Sequence, residues 1–141
     1  MTLDWRSVDP EKLDPTFRRD VEALLESSPF AWTVLYGFRS LAEQEKLWRA
    51  YQSGGPRAAP PGKSAHNYGL AVDVVPDGDP NKAGLQPDWN TGHPAWKWLF
   101  EAVFRHPRLH SGRSFHDSDH IEAVNWKAVA RARLTRGAAV S

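Results

Sequence analysis

The spacing of apolar residues predicts four helices. After Asp14-Pro15, Phe17, Val21 and Leu25 recur at helical intervals, and an N-cap Asp followed by Pro is a typical helix start. A second Asp-Pro pair, at residues 9–10, gives the same signal for a helix start. Ser40 and Glu43 form an S-x-x-E capping box, which predicts the start of the next helix. The predicted helices cover residues 15–26, 41–52, 94–105 and 123–133.

Two short apolar runs, AWTVLY (31–36) and LAVDVV (70–75), predict buried strands, and residues 106–122 are interpreted as irregular to β. Polar or Gly- and Pro-rich loops at 53–62 and 76–93 separate the elements. The order α-β-α-β-α-β-α predicts an α+β fold with a small antiparallel sheet flanked by helices. With 141 residues, the chain is expected to form one domain over 1–141.

A carboxylate interrupts the second predicted strand, because Asp73 lies in the middle of LAVDVV. An ionised carboxylate removed from water is costly unless it is paired. The partner could be an arginine, backbone N–H groups or a metal cation. His66 lies seven residues upstream, and Gly69 allows the tight turn that would bring its imidazole back beside Asp73. This arrangement favours a metal without excluding the other partners.

Composition narrows the possible metal sites and partners. The chain has no cysteine, so a transition metal must be held by His, Asp or Glu. The net charge of +1 argues neither for nor against a strongly anionic partner, and no apolar run approaches membrane-spanning length. The N-terminal sequence MTLDWRSVDPEKLD does not resemble a secretory signal peptide. We therefore expect a soluble protein made in the cytosol, without nucleic acid or membrane insertion, and a monomer by default.

A third metal ligand must come from elsewhere, because catalytic zinc sites typically have three protein ligands. The stretch 115–122 (FHDSDHIE) offers five candidates. The spacing H-D-S-D-H also resembles the helical H-E-x-x-H zinc motif, but its Gly-, Ser- and Asp-rich surroundings form helices poorly. The candidate ligands are His116, Asp117, Asp119, His120 and Glu122.

Three motifs in order resemble those of the zinc peptidases that cut peptidoglycan stem peptides, the D-alanyl-D-alanine carboxypeptidases and phage L-alanyl-D-glutamate endopeptidases. They are S-x-H-x(2)-G-x-A-x-D at residues 64–73, G-F-R-S at 37–40 followed by Gln44, and D-S-D-H at 117–120. The resemblance implies a hedgehog/D-Ala-D-Ala-peptidase-like single catalytic domain that binds the stem peptide. It implies a Zn²⁺ site of His66, Asp73 and His120, and catalytic roles for Asp117 as general base and for Arg39 beside the scissile carbonyl.

Alternatives to these roles remain at each position. His116 is the rival ligand and Asp119 the rival base, while the alternative for Arg39 is an ion pair, for example with Asp73. Gln44 is expected on an exposed helix face, and no role is assigned to it.

The D-S-D-H motif also bears on which bond is cut. Carboxypeptidases of the vancomycin-resistance type usually have Glu-x-Trp-His there, and the phage endopeptidases commonly have Asp in the position of Asp117. We therefore predict an endolysin that cleaves the L-Ala–D-Glu bond, held in the host cytoplasm until lysis and acting on the periplasmic cell wall. The alternatives are a D-alanyl-D-alanine carboxypeptidase and a non-catalytic zinc-binding module like the hedgehog-type domains.

Overall fold

The structure, a computed structural model, describes residues 3–115 and 117–135. These residues form five strands and four α-helices, which confirms the predicted α+β class. The strands are β1 (Leu3–Asp4), β2 (Trp32–Tyr36), β3 (Ala71–Pro76), β4 (Leu109–Ser111) and β5 (His120–Ala123). The helices are α1 (Pro15–Glu26), α2 (Leu41–Gln52), α3 (Pro94–Arg105) and α4 (Trp126–Thr135). Three short 3-10 turns accompany them, at Pro10–Lys12, Ala65–Tyr68 and Gly112–Phe115.

The five strands form one sheet in the order β1-β2-β3-β5-β4. All neighbouring pairs are antiparallel except β1 with β2, which is parallel. The parallel edge strand was not predicted, so the sheet is mostly rather than wholly antiparallel. The predicted helix start at residues 9–10 yields only the single turn Pro10–Lys12.

The central strand β3 is buried on both faces, which explains its apolar sequence. Val72, Val74 and Val75 are fully buried. Core side chains from α1 and α3 complete the same cluster. They are Phe17, Val21 and Leu25 on α1, and Trp96, Leu99 and Val103 on α3. Within the described residues, no helix has the length and apolar character needed to cross a membrane.

Candidate metal centre

Strand pairing brings two of the predicted ligands together. In the antiparallel register of β3 with β5, Asp73 lies directly opposite His120. Residues opposite each other in such a pair project from the same face of the sheet, with Cβ atoms about 4.5–5.5 Å apart. The carboxylate in the apolar strand and the imidazole on its neighbour therefore face one space.

The turn before β3 supplies the other imidazole. His66 belongs to the 3-10 turn Ala65–Tyr68, whose N-cap Ser64 accepts a hydrogen bond from the His66 backbone N–H. Gly69 ends the turn with φ +67°, a left-handed conformation that favours glycine. A Cβ at Gly69 would also lie 2.8 Å from the Lys12 carbonyl oxygen. Local geometry thus requires glycine where the chain turns to bring His66 back over β3.

His66, Asp73 and His120 form a compact donor set. Asp73 Oδ1 lies 3.4 Å from His66 Nε2 and 3.2 Å from His120 Nδ1. The three ligand atoms all lie within 4.8 Å of one another. Ligands at about 2.0–2.1 Å around a tetrahedral zinc ion lie roughly 3.3 Å apart, so these separations fit Zn²⁺ with one position left open. The donors required by the zinc prediction are therefore present in one place.

The other nitrogen of each imidazole already has a fixed partner. His66 Nδ1 lies 2.8 Å from the Gly37 carbonyl oxygen, which can only accept, so Nδ1 carries a hydrogen and Nε2 is the nitrogen that faces Asp73. His120 Nε2 lies 2.7 Å from Glu122 Oε1, which leaves His120 Nδ1 facing Asp73. Each ring therefore turns one nitrogen towards Asp73, His66 Nε2 or His120 Nδ1, and that nitrogen can bind a metal once it carries no hydrogen.

The electrostatics of the metal-free site reflect this packing. Burial alone would raise the pKa of Asp73, but hydrogen bonds from His120 and His66 outweigh it and hold the pKa well below its usual range. Burial would lower the pKa of His120, whereas its hydrogen bonds to Asp73 and Glu122 raise it to about 10. A metal entering the site at neutral pH therefore displaces a proton from His120.

A short turn before β5 places two further carboxylates beside Asp73. The backbone N–H of Asp117 donates to the Gly112 carbonyl, and the Asp119 carbonyl accepts from the backbone N–H of Val74. Asp117 Oδ2 lies 3.8 Å from His120 Nδ1, and the Asp117 side chain is 50% exposed. Burial, followed by the hydrogen bond with Asp117, raises the pKa of Asp119 to about 7. Asp117 is thus open to solvent while lying next to a nitrogen of the donor set.

The Arg39 backbone bonds to the turn that carries His66, and the Arg39 guanidinium bonds to a buried amide. Its backbone N–H donates to the His66 carbonyl at 3.0 Å, and its Nη1 donates to Gln44 Oε1 at 3.3 Å. The guanidinium also lies 6.0 Å from the centre of the Tyr36 ring. Asp73 is paired with the two imidazoles, so the alternative in which Asp73 pairs with Arg39 is not what the structure has.

The expectation for Gln44 was wrong, because this residue is only 1% exposed. Its Nε2 donates to the Ala59 carbonyl at 2.7 Å, and its Oε1 also faces Asn67 Nδ2 at 3.4 Å. Asn67 Nδ2 in turn donates to the Arg39 carbonyl at 2.9 Å. The amide therefore connects α2, the loop at 53–62, Arg39 and the turn that carries His66.

We expect Gln44→Met to lower the free energy of unfolding by about 1–3 kcal/mol, because the buried Gln44 amide no longer bonds the partly buried Ala59 carbonyl or the buried Asn67 amide. Chemical denaturation measures the change. The matched control on the same helix is Glu45→Gln, which removes only the exposed pair with Arg49 and should change stability by less than about 0.5 kcal/mol. Equal effects of the two substitutions would contradict a structural role for the buried amide.

Among the other candidates from the 115–122 stretch, His116 lies outside the described residues. Glu122 does not join the donor set but contacts the far side of the His120 ring. The sequence offered Glu122 as a ligand, and nothing in the local pattern distinguished a ligand from a partner of a ligand. Its place two residues after His120 on one strand, and so on the same face, was the available signal.

A comparison of the sequence with protein-family models finds a match over most of the chain. The family model described as VanY, D-alanyl-D-alanine carboxypeptidase, matches residues 11–106. The match includes Arg39, His66 and Asp73 and ends before Asp117 and His120. A search of curated proteins finds no match.

Solved structures share the fold at low sequence identity. The Serratia marcescens L-Ala D-Glu endopeptidase ChiX is 23% identical, with a TM-score of 0.59 over 84% of this chain and 86% of that protein. VanYB in complex with D-alanine-D-alanine is 18% identical, with a TM-score of 0.58 over 99% and 87%. A mutant of the vancomycin-resistance D,D-pentapeptidase VanY in complex with Zn(II) is 20% identical, with a TM-score of 0.53 over 91% and 81%.

Proposed function

The chain belongs to the D-alanyl-D-alanine carboxypeptidase (VanY) family, and from this premise we propose that its donor set holds the Zn²⁺ of a peptidoglycan peptidase. The observation that carries the proposal is the convergence of His66, Asp73 and His120 on one space, with His66 Nε2 and His120 Nδ1 both facing Asp73. The coarser conclusion, a peptidoglycan metallopeptidase, follows from the family.

The chemistry divides between the metal and two side chains. Bound Zn²⁺ supplies a Lewis acid and lowers the pKa of a water molecule towards about 7. Asp117 is the general base that takes the proton of the attacking water and transfers it to the amine that leaves as the C–N bond breaks. The Arg39 guanidinium, charged at every working pH, stabilises the negative charge that develops on the scissile carbonyl oxygen. The partly exposed Asp117 carboxylate beside His120 supports the role of base.

Within this class we propose cleavage of the L-Ala–D-Glu bond. Two observations support that bond. The base position carries the shorter Asp117, as the phage endopeptidases commonly do, rather than Glu. ChiX, an L-Ala D-Glu endopeptidase, shares the fold over most of both chains.

A D-alanyl-D-alanine carboxypeptidase is the second candidate. It is favoured by the description of the matching family model and by the fold shared with VanYB, whose structure contains D-alanine-D-alanine. A zinc-binding module without catalysis is the third reading, and it expects the base to be missing, whereas Asp117 is present beside the donor set.

Digestion of purified peptidoglycan followed by mass spectrometry separates these candidates. An endopeptidase releases fragments with new L-Ala carboxyl and D-Glu amino ends, whereas a carboxypeptidase releases free D-Ala. We expect the first result, its loss on adding EDTA, and its return on adding Zn²⁺. Free D-Ala would favour the second candidate, and stoichiometric zinc without any cleavage would favour the third.

The proposed role as an endolysin follows from the same bond. The protein would remain in the host cytoplasm until lysis and then act on the periplasmic wall. Loss of turbidity of permeabilised Gram-negative cells measures that action, and intact cells treated in the same way serve as the control. Cleavage of purified wall without any clearing of permeabilised cells would contradict the lytic role while leaving the peptidase assignment in place.

A further inference from the structure

Only one nitrogen of His120 faces the metal centre. His120 Nδ1 lies 3.2 Å from Asp73, whereas Nε2, on the opposite side of the ring, lies 2.7 Å from Glu122 Oε1. A neutral imidazole carries its hydrogen on one nitrogen and its lone pair on the other. A carboxylate that accepts from Nε2 therefore fixes both the tautomer and the orientation in which Nδ1 can bind a metal.

Glu122 is itself held in place on several sides. It lies two residues after His120 on β5, so both side chains project from the same face of the strand. Its Oε2 accepts a hydrogen bond from Trp126 Nε1 at 2.8 Å, at the start of α4. Its neighbour across the β3–β5 pair is Ala71, whose small side chain leaves room for the carboxylate. The side chain is 16% exposed and the two carboxylate oxygens have separate donors.

The second donor links the carboxylate to the other ligand-bearing segment. The Trp126 ring stacks on Tyr68, with ring centroids 6.2 Å apart and planes 29° apart. Tyr68 belongs to the same 3-10 turn as His66. Glu122 therefore contacts one imidazole directly and connects through two aromatic rings to the turn that holds the other.

We propose that Glu122 is a positioning residue of the zinc site, which fixes His120 with its hydrogen on Nε2 and its lone pair on Nδ1. The inference rests on the proposed zinc function but not on which bond the enzyme cleaves. Carboxylates that orient metal-bound histidines in this way typically contribute about 10–100-fold to metal affinity. A merely structural Glu122 would act only by joining β5 to α4 through Trp126.

Three variants separate these two roles. Trp126→Phe removes the hydrogen bond to Glu122 Oε2 and leaves the contact between Glu122 Oε1 and His120 Nε2 in place. In that background, Glu122→Gln keeps an acceptor oxygen for His120 Nε2, whereas Glu122→Met has similar length and no comparable acceptor. Zinc affinity is measured by competition with a chromogenic chelator, after circular dichroism has shown that each variant is folded.

We expect the Trp126→Phe protein to bind zinc with nearly the wild-type affinity. Adding Glu122→Gln should lower the zinc affinity by less than about tenfold, whereas adding Glu122→Met should lower it by about 10–100-fold. Nitrogen-15 chemical shifts of His120 in the zinc-loaded proteins report the tautomer directly. Wild type and the Gln variant should have hydrogen on Nε2, and the Met variant should show a mixture or a shift of that resonance.

Equal zinc affinity in the Gln and Met variants would overturn the positioning role, as would a full loss already present in Trp126→Phe. If the Met variant does not fold, the nitrogen-15 spectra of the other proteins test the role. A His120 Nε2–H resonance that is the same in wild type and in the Gln variant supports the role. Zinc bound at His120 Nε2 in wild type overturns it. A wild-type protein that binds no zinc overturns the proposed function itself, which distinguishes that failure from failure of the positioning role.

Discussion

Replacing Asp73 by asparagine should abolish zinc-dependent hydrolysis while leaving the fold in place. Asparagine keeps the shape of the side chain but removes the negative charge that lies 3.2–3.4 Å from both imidazoles. A catalytic metal contributes several kcal/mol of transition-state stabilisation, and each 1.4 kcal/mol is about tenfold in rate, so kcat/KM should fall by at least about 10³-fold. Hydrolysis of isolated peptidoglycan and the zinc content of the purified protein are the two measurements.

The chain contains a suitable control for this substitution. Asp88 also pairs with a histidine, since its Oδ2 lies 3.8 Å from His93 Nε2, but it belongs to the loop before α3 rather than to the donor set. Asp88→Asn should leave both zinc content and kcat/KM close to wild type. If Asp73→Asn retained stoichiometric zinc and full activity, the donor set would not be the catalytic metal site.

Replacing Asp117 by asparagine should lower kcat by about 10²–10⁴-fold with zinc binding preserved, which is the usual contribution of general acid–base catalysis. The amide keeps the size of the side chain but cannot take the proton of the attacking water. The Asp117 carboxylate is half exposed and lies 3.8 Å from His120 Nδ1. Steady-state kinetics together with a zinc titration separates loss of the base from loss of the metal.

Asp119→Asn is the matched control, because Asp119 is the rival base two residues away. Its raised pKa of about 7 belongs to the metal-free site, and a cation beside Asp73 favours the ionised form of both neighbouring carboxylates. We expect Asp119→Asn to keep most of the activity. The opposite ranking, with Asp119→Asn inactive and Asp117→Asn active, would reassign the base to Asp119.

Elements with local signals could be predicted from the sequence almost to the residue. The Ser40–Glu43 capping box places the start of α2, and Pro94 places the start of α3, because caps and prolines act within one turn of the chain. Both helices have the predicted bounds. The last helix begins at Trp126, three residues later than predicted, since no cap marks its start as clearly.

Features that depend on distant partners were not predictable in the same way. β1 has two residues and β4 three, too short for periodicity to show, and each exists because a neighbouring strand pairs with it. On α2 the apolar Leu47 and Tyr51 are exposed while Gln44 is buried, which reverses what a hydrophobic stripe predicts. The partners of Gln44 are 5–23 residues away in sequence, so its burial belongs to tertiary structure.

The candidate site likewise has one part with a local sequence signal and another part that depends on distant partners. His66 and Asp73 lie in one short motif, and a carboxylate within an apolar strand is visible in the sequence alone. Which residue of the 115–122 stretch faces them depends on the register of β3 with β5, and that register places His120 opposite Asp73. The contact between Glu122 and the outer nitrogen of His120 could not be read from spacing, because the same spacing also suits a ligand.

The wide separation of the donors along the chain also determines when a cation can be captured during folding. Two donors lie in one local segment, whereas the third is 47 residues beyond Asp73 and reaches it only when β5 pairs with β3. Such long-range antiparallel contacts are the slow part of folding. An ion that needs all three donors therefore recognises the completed topology rather than an early collapsed chain. The binding energy of the ion therefore slows unfolding of the metal-loaded enzyme more than it speeds folding.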